Sequence, residues 1–226
     1  MHQIKFIDLG LKSYKETWDY QEELLEQVKA DKKNLSEPRL EGYVLFVEHP
    51  HVYTIGKSGQ DQNLLISGDF LKQIGASVYH INRGGDITYH GPGQVVCYPV
   101  INLEQFQLGV REYIYKLEEA VILALKMMNI HSGRLEGATG IWLDPQSTAV
   151  RKICAIGVRV SRFITMHGFA LNVNTNLDYF DYIHPCGYTD KGVTSIAKEL
   201  GKNADFENVK QLVKENLGEV FDINFR

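Results

Sequence analysis

The cysteines are the residues best able to do covalent chemistry in this sequence, and there are three of them. Cys97 lies in the apolar run VVCY and Cys154 in KICAI, so we expect both to pack inside strands. Cys186 stands between Pro185 and Gly187, a setting typical of a turn that exposes its side chain. The sequence therefore predicts Cys186 as a candidate nucleophile.

A nucleophilic thiol needs a partner, because an ordinary cysteine has a pKa of about 8.5 and is mostly protonated at neutral pH. A nearby positive charge or base would activate it, and the sequence leaves four candidates open: Lys152, His90, His167 and His184. The odd cysteine count, without a CxxC spacing, argues against a disulfide framework or a structural zinc site. Reduced thiols favour a cytoplasmic protein.

A glycine-rich segment, RGGDITYHGPGQ at residues 83–94, is the second feature with chemical potential. Its four glycines and one proline exclude a regular helix or a central strand. Neither a phosphate-loop pattern nor G-x-G-x-x-G occurs in it. We interpret it as a loop that holds substrate, with donors from Arg83, Thr88, Tyr89 and His90. The alternative is a pair of tight turns between two strands.

The surrounding sequence predicts the elements that must position these residues. Ser13 and Glu16 form a capping box at the start of a helix over residues 14–29. Grouped strands without regular βαβ alternation favour an α+β fold, a single domain over residues 1–226 with a mixed, largely antiparallel sheet flanked by helices. Further strands are predicted at 43–47, 52–55, 77–81, 94–101, 139–143, 152–160 and 163–173, and further helices at 111–129, 193–200 and 206–217.

Charge and hydropathy exclude some classes of partner. The formal net charge of −4 argues against nucleic acid and anionic membranes as partners. No apolar run approaches the roughly 20 residues of a membrane span, and the N-terminus lacks the layout of a signal peptide. Between Pro145 and Leu177 there is no acidic residue, yet four basic residues occur there. We therefore predict a basic rim for an acidic protein partner, carried by at least one of Arg159 and Arg162. The alternative is that these arginines lie on a solvated strand edge.

Three separated motifs resemble one family. They are RGGDITYHGPGQVVCYPV, then TGIW leading to RKICAIGV, then MHGFALNV followed by PCG and VTS. In this order, over about residues 40–200, they are similar to the octanoyltransferases of lipoate biosynthesis, which move an octanoyl group from acyl carrier protein to a lysine of a lipoyl domain. Cys97 and Cys154 depart from the family pattern, where we expect glycine and alanine, but neither touches a proposed catalytic group.

The resemblance implies a role for each matching residue. Cys186 matches the cysteine that forms an acyl-thioester intermediate, and Lys152 the lysine that lowers its pKa. Lys152 would act by its charge, as a proton acceptor, or both. The implied substrate-binding residues are Arg83, Gly84, Gly85, Asp86, Ile87, Thr88, Tyr89, His90, Ala155, Ile156, Gly157, Gly168, Phe169 and Ala170.

The same resemblance implies the wider context of the reaction. The fold would be that of the biotin/lipoate protein ligase catalytic domain, and the reaction would need no cofactor and no metal. The donor would be octanoyl-acyl carrier protein. The acceptors would be lipoyl domains of 2-oxoacid dehydrogenases and the glycine cleavage H protein, in the first step of endogenous protein lipoylation.

Three other functions compete with this interpretation. An ATP-dependent lipoate or biotin ligase would share the fold but would need no nucleophilic cysteine. A non-catalytic module that recruits carrier or lipoyl domains would form no covalent adduct. A papain-like hydrolase is disfavoured, because no QxxxxxCW-type context surrounds Cys186.

Overall fold

A mixed sheet forms the centre of the chain. The computed structural model describes residues 1–33, 41–184 and 191–226, so the predicted nucleophile Cys186 lies outside the described residues. Within them the main sheet has nine strands and a smaller sheet has three. The predicted α+β class with a mixed sheet flanked by helices is confirmed.

The elements have the following bounds. The helices are α1 (Tyr14–Lys33), α2 (Gly68–Gln73), α3 (Val110–Met127), α4 (Ile196–Leu200) and α5 (Phe206–Phe221). The strands are β1 (His2–Leu11), β2 (Gly42–Glu48), β3 (Val52–Ile55), β4 (Ser77–His80), β5 (Ile87–His90), β6 (Gln94–Ile101), β7 (Gly133–Leu135), β8 (Ala138–Leu143), β9 (Arg151–Ser161), β10 (Ile164–Asn172), β11 (Gly192–Val193) and β12 (Ile223–Phe225). The strand order of the main sheet is β12-β1-β2-β6-β10-β9-β8-β7, with β11 beside β9, and that of the smaller sheet is β4-β3-β5.

Both faces of the main sheet are buried, which explains why its central strands β6 and β10 are buried at every position and mostly apolar. Along β6, Val95 and Cys97 point into a core shared with α3 and α5. Val96 and Tyr98 point into a second core shared with α1. The sheet is therefore a middle layer between α1 on one face and α3 with α5 on the other.

The start of α1 confirms the predicted capping box. Ser13 Oγ donates to Glu16 Oε2 at 2.6 Å, and the Glu16 N–H donates back to Ser13 Oγ at 3.4 Å. The helix runs four residues beyond the predicted end, to Lys33. No helix in the described ranges combines the length and apolarity that a membrane crossing requires.

Two predicted elements need correction. The predicted loop at residues 83–94 contains a strand, because Ile87–His90 pair with β3 as β5. The helix predicted from residue 193 begins only at Ile196, since Gly192 and Val193 pair with β9 and Ser195 caps the helix through the Lys198 N–H. Strands β1, β7, β11 and β12 and helix α2 were not predicted.

A glycine on β10 limits how the central strands pack. A Cβ at Gly168 would lie 2.0 Å from the carbonyl oxygen of Cys97 on β6 and 2.9 Å from Pro99 Cδ. Because the first obstacle is backbone, the strands would have to separate. We expect Gly168→Ala to lower the free energy of unfolding by about 2–3 kcal/mol, measured by urea denaturation.

The matched control is Gly68→Ala at the start of α2, where a Cβ would meet nothing within 4 Å. We expect that variant to stay within about 0.5 kcal/mol of the parent. Equal stability of the two variants would contradict the packing proposed for Gly168.

Candidate active site

A cavity of about 260 Å³ lies where the small sheet meets β9 and β10 of the main sheet. Most of the residues predicted to bind substrate line it. They are Arg83, Gly85, Asp86, Ile87, Thr88, Tyr89, His90, Ala155, Ile156, Gly157, Gly168, Phe169 and Ala170, and Lys152 joins them. Gly84 is not in the lining; its N–H donates to the carbonyl oxygen of Val158 on β9 at 2.9 Å.

Small residues on the two long strands open the floor of this cavity. Gly157 on β9 pairs with Gly168 on β10, and Ala155 pairs with Ala170. A Cβ at Gly157 would lie 2.9 Å from Arg83 Cδ and 2.9 Å from the Gly84 carbonyl oxygen. Glycine at this position therefore lets the Arg83 segment rest directly on the sheet.

Arg83 holds the glycine-rich segment against the small sheet. Its guanidinium donates from Nη2 to the Thr54 carbonyl oxygen at 2.6 Å and to Thr54 Oγ1 at 3.0 Å. Nη1 donates to the carbonyl oxygen of Gly84 at 3.0 Å. The side chain is only 8% exposed. These bonds give Arg83 a structural role in the site in addition to lining the cavity.

Asp86 has a similar anchoring function. Its Oδ1 accepts from the Ile87 N–H at 2.6 Å, and its Oδ2 accepts from Asn63 Nδ2 at 2.7 Å. The carboxylate is buried, and a hydrogen-bond donor to each of its oxygens offsets the cost of that burial. The segment that precedes β5 is consequently fixed at both Arg83 and Asp86.

The two histidines in the lining are buried and neutral at physiological pH. Burial, aided by the charges of Arg83 and Arg159, lowers the pKa of His167 to about 3. Burial, with His49 and Arg83 nearby, lowers the pKa of His90 well below its ordinary value. Neither imidazole can supply the positive charge that a thiolate would need. His184, the third histidine considered, is exposed and outside the lining.

Lys152 is the remaining candidate for activating the thiol, and it lines the cavity. It is the cross-strand partner of Trp142, and its Nζ lies 4.5 Å from the centroid of the Trp142 ring. On its other side, Lys152 pairs with Val193 of β11. The backbone of Lys152 is thereby held between β8 and β11.

The chain lines the cavity both before and after the segment that contains Cys186. Before it, Phe180 lines the cavity and the His184 N–H donates to the Asn63 carbonyl oxygen at 2.8 Å. After it, Lys191 lines the cavity and the Thr194 N–H donates to the Lys152 carbonyl oxygen at 2.9 Å. The six intervening residues, 185–190, are outside the described part of the chain.

A chain of polar side chains connects His90 to this returning segment. Gln94 Oε1 accepts from His90 Nδ1 at 3.3 Å, and Gln94 Nε2 donates to Asn172 Oδ1 at 2.9 Å. Asn172 Nδ2 donates in turn to the Thr194 carbonyl oxygen at 3.0 Å. The glycine-rich segment and the chain following residue 190 are thus positioned by one hydrogen-bonded network.

The other two cysteines have the packing role expected of them. Cys97 and Cys154 are both fully buried, and neither lines the cavity. Burial raises the pKa of each thiol well above its ordinary value. Both are therefore poor thiolate nucleophiles.

The basic rim predicted on two arginines stays a prediction, and the charge of one of them is partly neutralised. Neither Arg159 nor Arg162 lines the cavity. Arg159 Nη1 is ion-paired with Glu22 Oε1 of the acidic helix α1 at 2.9 Å. Arg151, also in the basic stretch, pairs with Asp144 and Glu199. Residues 145–177 contain no acidic residue, but acidic residues of other segments form ion pairs with two of their arginines.

Several lining residues were not identified as such from the sequence. Tyr14 reaches the cavity from the first turn of α1 and stacks on His90, with ring centroids 6.0 Å apart and planes 11° apart. Tyr98, Asn172 and Lys191 also line it. Tyr98 and Asn172 lie inside the family motifs, which could have indicated them. Tyr14 lies outside every motif, and its place depends on how α1 packs.

The comparisons with known proteins agree with this geometry. The model of the lipoyl protein ligase A/B catalytic domain matches residues 13–218. An octanoyltransferase of Bacteroides fragilis is 53% identical over 210 residues, which cover 93% of this chain and 94% of that protein. An octanoyltransferase of Parabacteroides distasonis is 52% identical over 226 residues, covering 98% and 100%.

Solved structures support the fold at much lower identity. The bipartite lipoate protein ligase of Thermoplasma acidophilum superposes with a TM-score of 0.74 at 14% identity, covering all of this chain and 86% of that one. A lipoate-protein ligase A bound with ATP gives 0.71 at 15% identity, covering 100% and 87%. From the matched model and the two relatives, the chain belongs to the lipoyl protein ligase A/B catalytic domain family and, within it, to the octanoyltransferases.

Proposed function

We propose that this protein transfers an octanoyl group from a carrier-bound thioester to a lysine amine of a lipoyl domain, through a thioester on Cys186. One observation carries the proposal: Lys152 lines one cavity together with Phe180 and Lys191, which come before and after Cys186 in the chain. The octanoyltransferases at 53% and 52% identity support the choice of acyl group.

The chemistry of the proposed reaction balances without a further reactant. The Cys186 thiolate attacks the carbonyl carbon of the donor thioester, the bond to the carrier sulfur breaks, and the carrier leaves as a thiol after gaining a proton. The acceptor amine then attacks the Cys186 thioester, loses a proton, and releases the Cys186 thiolate. Splitting the transfer into two steps is the usual advantage of a covalent nucleophile.

Charge at the cavity favours Lys152 as the group that activates the thiol. The buried histidines in the lining are neutral at physiological pH. A protonated Lys152 would stabilise the thiolate and therefore lower the pKa of Cys186. Arg83 also lines the cavity, but its guanidinium already donates three hydrogen bonds within the protein, to the carbonyl oxygens of Gly84 and Thr54 and to the Thr54 hydroxyl.

The wider assignment follows the family. Residues 1–226 act as one catalytic domain, the donor is octanoyl-acyl carrier protein, and the acceptors are lipoyl domains of 2-oxoacid dehydrogenases and the glycine cleavage H protein. The reaction takes place in the cytoplasm, where thiols stay reduced. Arg83 to His90, Ala155 to Gly157 and Gly168 to Ala170 contribute the surface that holds the acyl chain.

The nucleophile is tested by intact mass spectrometry. After incubation with octanoyl-acyl carrier protein without ATP, we expect one added octanoyl group that hydroxylamine removes. Cys186→Ser should lose both the thioester and the transfer to a lipoyl domain. Cys97→Ser and Cys154→Ala are the controls and should keep both, because their thiols are buried away from the cavity. A Cys186→Ser protein that still transfers octanoyl would contradict the mechanism.

The role of Lys152 is tested by the pH dependence of Cys186 alkylation with iodoacetamide. Removing the positive charge in Lys152→Met should move the alkylation midpoint upward by about one pH unit or more, because the thiolate loses its counter-charge. Lys152→Arg keeps the charge but cannot accept a proton at these pH values. Recovery of alkylation and transfer by arginine would assign the role to charge. An unchanged midpoint in Lys152→Met would exclude an electrostatic role.

A further inference from the structure

The environment of Lys152 contains an aromatic face in a fixed position. Trp142 lies directly opposite Lys152 across the β8–β9 pair, and the Lys152 Nζ is 4.5 Å from its ring centroid. The indole is 1% exposed, and its Nε1 donates to the Ala138 carbonyl oxygen at 2.9 Å. Burial and this hydrogen bond hold the ring plane, so its face stays toward the ammonium group.

A second feature fixes the backbone next to this pair. The register of β8 against β9 shifts between Ile141 and Trp142. At the neighbouring Gly140, which has a φ of +121°, the N–H donates to the buried Glu118 Oε1 at 3.1 Å. A Cβ at Gly140 would lie 2.6 Å from the Cys154 carbonyl oxygen and 3.5 Å from Lys152 Cε. Because Gly140 has no side chain, the irregular pairing of β8 leaves room for the Lys152 side chain, and the Trp142 ring stays next to the Lys152 Nζ.

We propose that Trp142 is a positioning residue for the transfer reaction: its indole face keeps Lys152 in the ammonium form and directed into the cavity, so that Lys152 acts on the thiol as a charge. The inference rests on the proposed function only for its consequence at Cys186. The interaction between the ring and the ammonium group is a property of the described structure. An aromatic face attracts a cation and gives no comparable attraction to a neutral amine.

Other titratable groups share this environment and bear on the charge of Lys152. Glu118 on α3 favours the ammonium form, although it is also ion-paired with Arg134 at 2.9 Å. Lys191 and Arg83 in the cavity lining oppose it, and Asp86 favours it. His90 and Cys154 are buried and neutral at physiological pH. Unlike these groups, Trp142 is not titratable. Its substitution therefore alters the surroundings of the Lys152 ammonium group without changing any formal charge.

The test measures the titration of the Lys152 amine directly. In a Cys186→Ser background, competitive labelling with acetic anhydride and peptide mass spectrometry gives the pH midpoint of Lys152 reactivity. We expect Trp142→Leu to lower that midpoint by about one pH unit, and Trp142→Phe, which keeps a weaker aromatic face, by a smaller but measurable amount. The exposed Lys202 in the same digest is the reference and should not move.

Both outcomes for Trp142 are interpretable. A Lys152 midpoint that is unchanged in Trp142→Phe and Trp142→Leu, with circular dichroism like that of the parent, would overturn the proposal. If Trp142→Leu does not fold, the decision falls to Trp142→Phe, for which no downward movement of the midpoint would overturn it. With Cys186 restored, Trp142→Leu should also raise the pH midpoint of thiol alkylation, as Lys152→Met does.

This design separates the inference from the proposed function. The amine titration is done without the Cys186 thiol, so it does not depend on whether that thiol carries an acyl group. A lowered Lys152 midpoint together with no acyl adduct on Cys186 would leave the Trp142 interaction intact and contradict the function. An unmoved Lys152 midpoint together with a normal adduct would contradict only the role of Trp142.

Discussion

The close approach of the glycine-rich segment to β9 and β10 is the constraint on which the rest of the site depends. Gly157 and Gly168 pair across these strands, and a Cβ at either position would collide with neighbouring backbone. Because Gly157 has no side chain, Arg83 lies on the sheet and reaches Thr54 of the small sheet. The cavity is the space left beside this contact, so its walls are set by backbone positions more than by adaptable side chains.

The electrostatics of the site follow from the same enclosure. Burial keeps His90 and His167 neutral at physiological pH and raises the pKa of the Cys97 and Cys154 thiols. The two histidines therefore cannot activate a thiol as cations, and the two buried cysteines are poor nucleophiles. In our proposal, Lys152 stays a cation in the lining because Trp142 on the adjacent strand presents an aromatic face 4.5 Å from its Nζ.

The local parts of the fold were predictable from the sequence, whereas pairings that depend on distant segments were not. Strand β6 and helix α3 have strong periodic patterns, and both form within two residues of the predicted bounds. Strand β1 was missed because its burial alternates poorly, and it is placed by parallel pairing with β2 and β12.

The same distinction applies to the site. The family motifs predicted the lining residues of β9 and β10, because the stretches of sequence that match the motifs form this wall of the cavity. They could not predict that Tyr14 of α1 stacks on His90, since that contact depends on the packing of a helix remote in sequence. They also could not predict that Glu22 neutralises Arg159, because charge compensation of this kind is a tertiary property.

The central claim is that the acyl chain occupies this cavity while attached beside Lys152. A crystal structure of the protein after reaction with a bromomethyl ketone that carries the octanoyl chain tests it most directly, because the resulting thioether is stable. We predict continuous density from Cys186 Sγ, a ketone oxygen near Lys152, and the alkyl chain between β5 and the Gly157–Gly168 pair. Attachment at another residue, or an alkyl chain lying outside this cavity, would contradict the account.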